Sequence, residues 1–376
     1  MIRFQLHIIL AFSLTLPNLF RESSAGCFQS TLKHGTGKSE LTSASQGGGD
    51  RCHCGRFTIT ELKNEFKIKK FRLKIPPEDE KIGEGLFAHV KHAFNPKKNK
   101  CFALKISRMD RDGENNEVNR EREVLDYFNT LSVQQRNHII QMYAREHRRT
   151  KMYFLLELGG KTLNEYFYQK VRERHGEFHI NNIKLERLLL TNILKGAAQA
   201  LQQFHQHGFH LDVHKENFLI ALDENQSEPN PNRESNETIP CKLIDFNLSV
   251  ITSKGHVAHF DHMIKSINAP EIADNNPANL SDKIDVWSFG IMVLELYTYF
   301  HYTENNDFDE VTNELYKLKR TEPSNIITRL IQACVQINPN DRPSMNAIVS
   351  FLKNECDYFY YERDRPRGSQ ERLCVN

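Results

Sequence analysis

His210-Leu211-Asp212-Val213-His214-Lys215-Glu216-Asn217-Phe218-Leu219-Ile220 sets an aspartate and an asparagine just ahead of a short apolar run. Beyond the polar stretch Asp223 to Pro240 follows a second such run, Leu243-Ile244-Asp245-Phe246-Asn247. The two aspartates and the asparagine supply a proton acceptor and hard oxygen donors suited to a divalent cation. The stretch between them is polar throughout and reads as a surface insertion with no core of its own.

Toward the N-terminus, Ala103-Leu104-Lys105 puts a lysine inside an apolar strand, which is costly unless the ammonium is paired. The charged helix expected near 113–130 offers Glu121 as the partner. Earlier still, Ile82-Gly83-Glu84-Gly85-Leu86-Phe87-Ala88-His89-Val90 lies between two expected strands. Its glycines let backbone N–H groups approach phosphate oxygens closely. Toward the C-terminus come Ala269-Pro270-Glu271, Asp285-Val286-Trp287-Ser288-Phe289-Gly290 and Asn338-Pro339-Asn340-Asp341-Arg342-Pro343.

In order and spacing these segments resemble the eukaryotic protein kinase family over about residues 70–355. A weaker similarity, around His205 to Ile220, points to the spindle-checkpoint dual-specificity kinases. The resemblance implies an α+β fold of two lobes: a small antiparallel-sheet lobe with one main helix (70–158) and a larger helical lobe (159–355). It implies ATP and Mg²⁺ as cofactors and a protein substrate. Gly83, Glu84 and Gly85 are then implied to cover the phosphates, with Ile82, Val90, Ala103 and Leu219 around the adenine. Lys105, held by Glu121, is implied to contact the phosphates. Leu156 would guard the rear pocket, and Glu157 and Leu158 would offer backbone hydrogen bonds to the adenine. Asp212 would accept the substrate hydroxyl proton, and Asn217 and Asp245 would hold Mg²⁺. Leu125, Phe246 and His210 match the stacked side chains that couple the lobes, anchored by Asp285. Glu271 and Arg342 match a buried ion pair.

Several positions depart from the family pattern. Ala88 replaces the third glycine of the loop. Leu211 replaces the arginine of kinases that are regulated by activation-loop phosphorylation. His214 stands where a lysine usually steadies the transferred phosphate. Lys215, one residue on, is expected to reach the same oxygens, although a one-residue shift along this loop redirects a side chain, and a neutral imidazole at His214 is the weaker substitute. Asn247 replaces a glycine and is expected to carry a left-handed turn. Before Ala269, Met263, Ile264 and Ile267 replace the usual substrate-docking residues, and the histidines of that loop, His256, His259 and His262, are expected on its surface. The reading is a protein kinase of modest activity, by default directed to serine or threonine. Its alternative is a secreted kinase-fold pseudoenzyme acting as a binding or scaffold protein.

The remaining sequence bounds this reading. The 376 residues carry 50 basic and 48 acidic side chains, so charge makes no case for nucleic acid or an anionic membrane. Arg3 precedes the apolar run Leu6 to Phe20, and Ser23-Ser24-Ala25 suits a cleavage site, which is the layout of a secretory signal peptide over 1–25. No later run is long enough for a stable membrane anchor. Residues 26–69 are expected to be a flexible leader and 356–376 a C-terminal tail. All eight cysteines follow the expected cut. Cys356 and Cys374 could form a terminal disulfide, and Cys334 is expected as an inert core thiol. Cys52-His53-Cys54 suggests metal, but no second ligand pair follows at zinc-finger spacing. The sequons at Asn225 and Asn236 lie in the polar insertion, where glycans would be tolerated, unlike those at Asn247 and Asn279.

Overall fold

The computed structural model describes residues 51–85, 88–110, 115–176, 179–229, 237–255, 269–272, 281–299, 308–321, 324–364, 368 and 370–375. The expected signal peptide, residues 26–50, the loop carrying His256 to Ile267, and the sequons at Asn236 and Asn279 lie outside them.

The first lobe is a seven-stranded antiparallel sheet in the order β1-β2-β4-β5-β7-β6, with the two-residue strand β3 paired to β4. Its strands are β1 (Asn64–Ile68), β2 (Phe71–Ile75), β3 (Gly83–Glu84), β4 (Ala88–Asn95), β5 (Lys100–Arg108), β6 (Met142–Arg148) and β7 (Lys151–Glu157). β5 is central and buried along nearly its whole length, which is why its sequence reads as one apolar run rather than an alternation. Its two faces separate. Phe102, Leu104 and Ile106 join a small outer core with Phe71 and Leu155, whereas Cys101 and Ala103 belong to the main core.

Helix α1 (Asn116–Asn129) closes this lobe. The Asn115 side chain accepts from the Val118 N–H, capping its first turn. Val118, Glu121, Val124, Leu125 and Phe128 recur at helical spacing and form its buried stripe, with Glu121 the one charge on it.

The second lobe is helical: α2 (Leu163–His175), α3 (Ile180–Leu185), α4 (Arg187–His205), α5 (Asp282–Thr298), α6 (Phe308–Thr321), α7 (Ile326–Cys334) and α8 (Met345–Leu352). α5 is buried almost all round, as its sequence predicts. Between the helices lie the short strands β8 (Gly208–Phe209), β9 (Phe218–Ile220), β10 (Cys241–Leu243) and β11 (Val250–Ile251). The pairs β9–β10 and β8–β11 set the two acidic motifs side by side.

Two boundaries differ from expectation. Residues 51–69, assigned to a flexible leader, are folded: β1 pairs with β2 along its whole length, and Cys52 and Leu62 are buried. The Gly/Ser/Thr-rich composition behind that assignment ends before residue 51, and β1, five residues long, is too short to announce itself. The insertion is also less detached than its polarity suggests. Glu228 accepts from the Lys161 N–H at 2.9 Å, and Tyr166 donates its hydroxyl to the Pro229 carbonyl at 3.0 Å. At the C-terminus a Cys356–Cys374 disulfide and the Arg329–Glu362 ion pair at 2.8 Å pin the tail to the helical lobe.

Candidate active site

The cleft between the lobes is built outward from Lys105. β5 places Ala103 and Lys105 on one face, and pairing with β4 sets Val90 opposite Lys105. Lys105 Nζ lies 2.7 Å from Glu121 Oε1 and 2.9 Å from Asp245 Oδ1, so α1, β5 and the loop after β10 converge on one ammonium. Burial alone would lower the lysine pKa, but the two carboxylates outweigh it and keep the group charged. Two carboxylates around one ammonium leave an excess of negative charge. Burial, with the Asp245 carboxylate nearby, pushes Glu121 up to about 7, and its Oε2 is buried with no hydrogen-bond partner among the described residues.

Beside this cluster sits the loop ahead of β9. Asn217 Nδ2 donates to the Asp212 carbonyl at 2.8 Å and to Asp212 Oδ2 at 3.0 Å, which fixes the aspartate's orientation. Asn217 Oδ1 is buried without a partner among the described residues. A buried carbonyl oxygen left open beside an excess of carboxylate fits a hard divalent cation such as Mg²⁺, with Asn217 and Asp245 as the holders. Asp245 takes the left-handed backbone conformation at φ 60° that aims its carboxylate inward.

His214 departs from its expected neutral state. Its Nδ1 lies 2.9 Å from Glu216 Oε2 and its Nε2 3.5 Å from Asp212 Oδ2. Burial disfavours the imidazolium, yet the two carboxylates outweigh it and raise the His214 pKa well above the usual imidazole value. The converse holds for Asp212: burial opposes its charge, but His214 and the Asn217 amide keep it below the ordinary carboxylate range.

Lys215 is corrected outright. Expected to reach the transferred phosphate, it is buried and paired with Glu295 of α5 at 3.0 Å, turned away from the cleft. The one-residue shift along the loop points the side chain into the helical lobe. The expectation for Asn247 also fails, since the left-handed residue of that turn is Asp245.

The nucleotide-side residues line the roof and hinge. Ile82 and Gly85 donate backbone N–H groups to the Val90 and Ala88 carbonyls, each at 2.8 Å, closing the glycine hairpin of which residues 86–87 are not described. Glu84 is exposed and ion-paired to Lys81. At the hinge, Leu219 packs so closely on Gly159 that a Cβ there would sit 2.4 Å from Leu219 Cδ1, so glycine is required. Leu158 and Leu156 are buried, and the Glu157 side chain is tied to Lys242 at 3.0 Å.

The supporting parts fall into place. The His210 and Phe246 rings meet at 5.6 Å, and Phe246 stacks on Phe204. Asp285 accepts from the His210 and Leu211 N–H groups, each at 2.7 Å, holding the start of the loop. Arg342, fully buried, forms a double hydrogen bond to Glu271 at 2.6 and 2.8 Å and lies over the Trp287 ring.

Sequence reasoning missed three contributions. Arg56 Nη2 donates to the Gly159 carbonyl at 3.2 Å, bringing the segment ahead of β1 to the hinge. Gln226 of the insertion exchanges two hydrogen bonds with the Cys101 backbone, at 2.8 and 2.9 Å, bridging the lobes. The His214 cation was visible only as the acidic neighbours Asp212 and Glu216.

A family model described as protein kinase domain matches residues 77–351. Among curated relatives, a probable serine/threonine-protein kinase, fnkE, of Dictyostelium discoideum is 27% identical, covering 56% of this chain and 16% of its own. The membrane-associated tyrosine- and threonine-specific cdc2-inhibitory kinase of Drosophila melanogaster is 25% identical, covering 73% of this chain and 46% of its own. CBL-interacting protein kinase 2 of Oryza sativa subsp. japonica is 22% identical, covering 77% and 59%. The chain thus spans less than two thirds of the length of each.

Proposed function

Since the chain belongs to the protein kinase family, we propose that it transfers the γ-phosphate of ATP to hydroxyl groups of protein substrates, serine or threonine by preference. The observation that carries this reading is the convergence of Glu121 and Asp245 on Lys105, at 2.7 and 2.9 Å, beside an Asp212 that Asn217 orients. Phosphoryl transfer asks a protein chiefly to position reactants and offset charge, and this set does both.

In this reading ATP lies under Gly83, Glu84 and Gly85, with its adenine between Ala103, Val90 and Ile82 above and Leu219 below. The hinge backbone at Glu157 and Leu158 meets the adenine edge. Lys105 engages the phosphates and is kept in line by Glu121. Asn217 and Asp245 would hold Mg²⁺, which would supply positive charge to offset the phosphates. Asp212, charged and oriented, accepts the proton of the substrate hydroxyl. His214 as a cation supplies beside Asp212 the positive charge that Lys215 cannot.

The residues 1–25 and the Cys356–Cys374 bond support passage through an oxidising secretory compartment, which mass analysis of the mature N-terminus tests. The enzymatic reading is tested by incubating the chain with ATP, Mg²⁺ and generic protein substrates, with Asp212→Asn alongside, and mapping the phosphorylated residues. Phosphoserine or phosphothreonine that vanishes in the variant supports it. A folded wild type that transfers no more than the variant overturns it in favour of a binding or scaffold role.

A further inference from the structure

Residues that phosphotransfer leaves unused gather at the hinge end of the cleft's roof. Cys101 stands one pleat before Ala103 on the same face of β5, and His92 of β4 pairs directly across from Ala103. Cys52 and Cys54 reach them from a tight turn ahead of β1, closed by the Gly55 N–H on the Cys52 carbonyl at 2.8 Å. Cys52, His92 and Cys101 are buried and Cys54 is half-buried. The three sulfurs and a ring nitrogen of His92 all lie within 4.8 Å of one another.

We propose that Cys52, Cys54, His92 and Cys101 form a structural Zn²⁺ site, a Cys₃His tetrahedron that fastens the segment ahead of β1 to the roof of the nucleotide cleft. The donor set is the first argument, since three sulfurs and one imidazole in a closed four-ligand arrangement are the chemistry of structural zinc. The spacing is the second. Zn–S bonds of about 2.3 Å and a Zn–N bond of about 2.0 Å require tetrahedral edges of about 3.8 Å between sulfurs and about 3.5 Å from sulfur to nitrogen. Cys52 Sγ is 3.6 Å from Cys54 Sγ, and the two sulfurs are 3.8 and 3.3 Å from His92 Nε2.

The Phe57 N–H donates to Cys52 Sγ at 3.4 Å. Crowded thiolates repel in the absence of a cation, and Zn²⁺ removes that repulsion. His92 Nδ1 has no partner among the described residues, and the ring is oriented by packing on Phe57 at 4.8 Å between centroids.

The position gives the site a consequence. Arg56, two residues past Cys54, reaches the hinge carbonyl of Gly159, and the Cys101 backbone is clasped by Gln226. One ion thus joins the N-terminal segment, the roof, the hinge and the insertion. Its loss should raise the KM for ATP several-fold while kcat changes less.

The full chain, expressed without a metal-binding tag and desalted, should carry about one zinc by elemental mass spectrometry. The Cys52→Ser/Cys54→Ser double variant should retain less than a tenth of that. Should the variant not fold, Co²⁺ substitution of the wild type decides: the visible bands of a tetrahedral thiolate complex are expected. Iodoacetamide, followed by peptide mapping, should modify Cys52, Cys54 and Cys101 only after chelation. A folded wild type that holds less than a tenth of an equivalent after exposure to Zn²⁺ would overturn the proposal. So would a disulfide between any two of these cysteines in unreduced protein, or zinc that persists in a folded double variant.

Discussion

The cleft and the cysteine cluster are both assembled from residues far apart in the chain, on the same face of β5, yet they reach the eye differently. Lys105 and Asp245 are brought to 2.9 Å across 140 positions of sequence, and each still announces itself through its immediate neighbours. His92 and Cys101 carry no such neighbours. They meet because antiparallel pairing sets β4 against β5 in one register, and Cys52 and Cys54 join only through a turn ahead of β1. A motif is legible where chemistry constrains consecutive residues, and illegible where topology alone supplies the proximity. The comparison also separates two uses of charge, since the cleft keeps an excess of carboxylate poised for a cation and the cluster an excess of sulfur.

The largest effect should come from the centre of the cleft. Lys105→Met removes the cation on which Glu121 and Asp245 converge, and transfer should fall about a thousand-fold in initial-rate assays, with the fold retained by circular dichroism. A variant of near-normal rate would dissolve the distinction between a working cleft and a merely structural one.

Lys215→Ala should act on stability instead. It leaves Glu295 buried without this partner, and unfolding free energy should fall by about 3–5 kcal/mol in denaturant titrations. The rate per folded molecule should be unchanged; a selective fall in kcat would return Lys215 to the cleft. His214→Gln, which removes the cation between Asp212 and Glu216, should lower kcat by about ten- to a hundred-fold with KM for ATP nearly constant. Smallest is Gln226→Ala. Loss of two hydrogen bonds to the Cys101 backbone should cost about 1–2 kcal/mol in thermal or chemical unfolding, and a larger loss would make the clasp part of the cluster's support.

Most of the fold was legible. The apolar run around Lys105, the charged helix carrying Glu121 and the all-round apolar helix before Phe300 each became the expected element, because each has a period or a continuous run to read. The segment 51–69 was not, since its folding depends on β2, on Arg56 reaching Gly159 and on Cys52 meeting His92, all of them contacts with distant residues. Within the site, the expected pairs Lys105–Glu121 and Arg342–Glu271 form, but side-chain direction at Lys215 was not legible. Lys215 and His214 are adjacent, and only the path of the loop decides which of them faces Asp212 and which faces α5. Likewise the Asp245 backbone, not the Asn247 that replaces the family's glycine, absorbs the left-handed turn.

Under the proposed function, a histidine cation keeps this cleft competent where the family's lysine is missing. Sign follows from the raised His214 pKa. Its contribution to stability is complete below the unfolded value of 6.5 and is lost as pH rises through the raised folded value. Catalysis that uses the cation should fade over the same window, while Asp212, held below the ordinary carboxylate range, stays charged throughout. The most direct measurement is the pH dependence of kcat for γ-phosphate transfer by the wild type and by His214→Lys. The wild type should lose rate on an alkaline limb lying above the usual histidine range, and His214→Lys should carry that limb to higher pH. Superimposable profiles for the two proteins would contradict the claim.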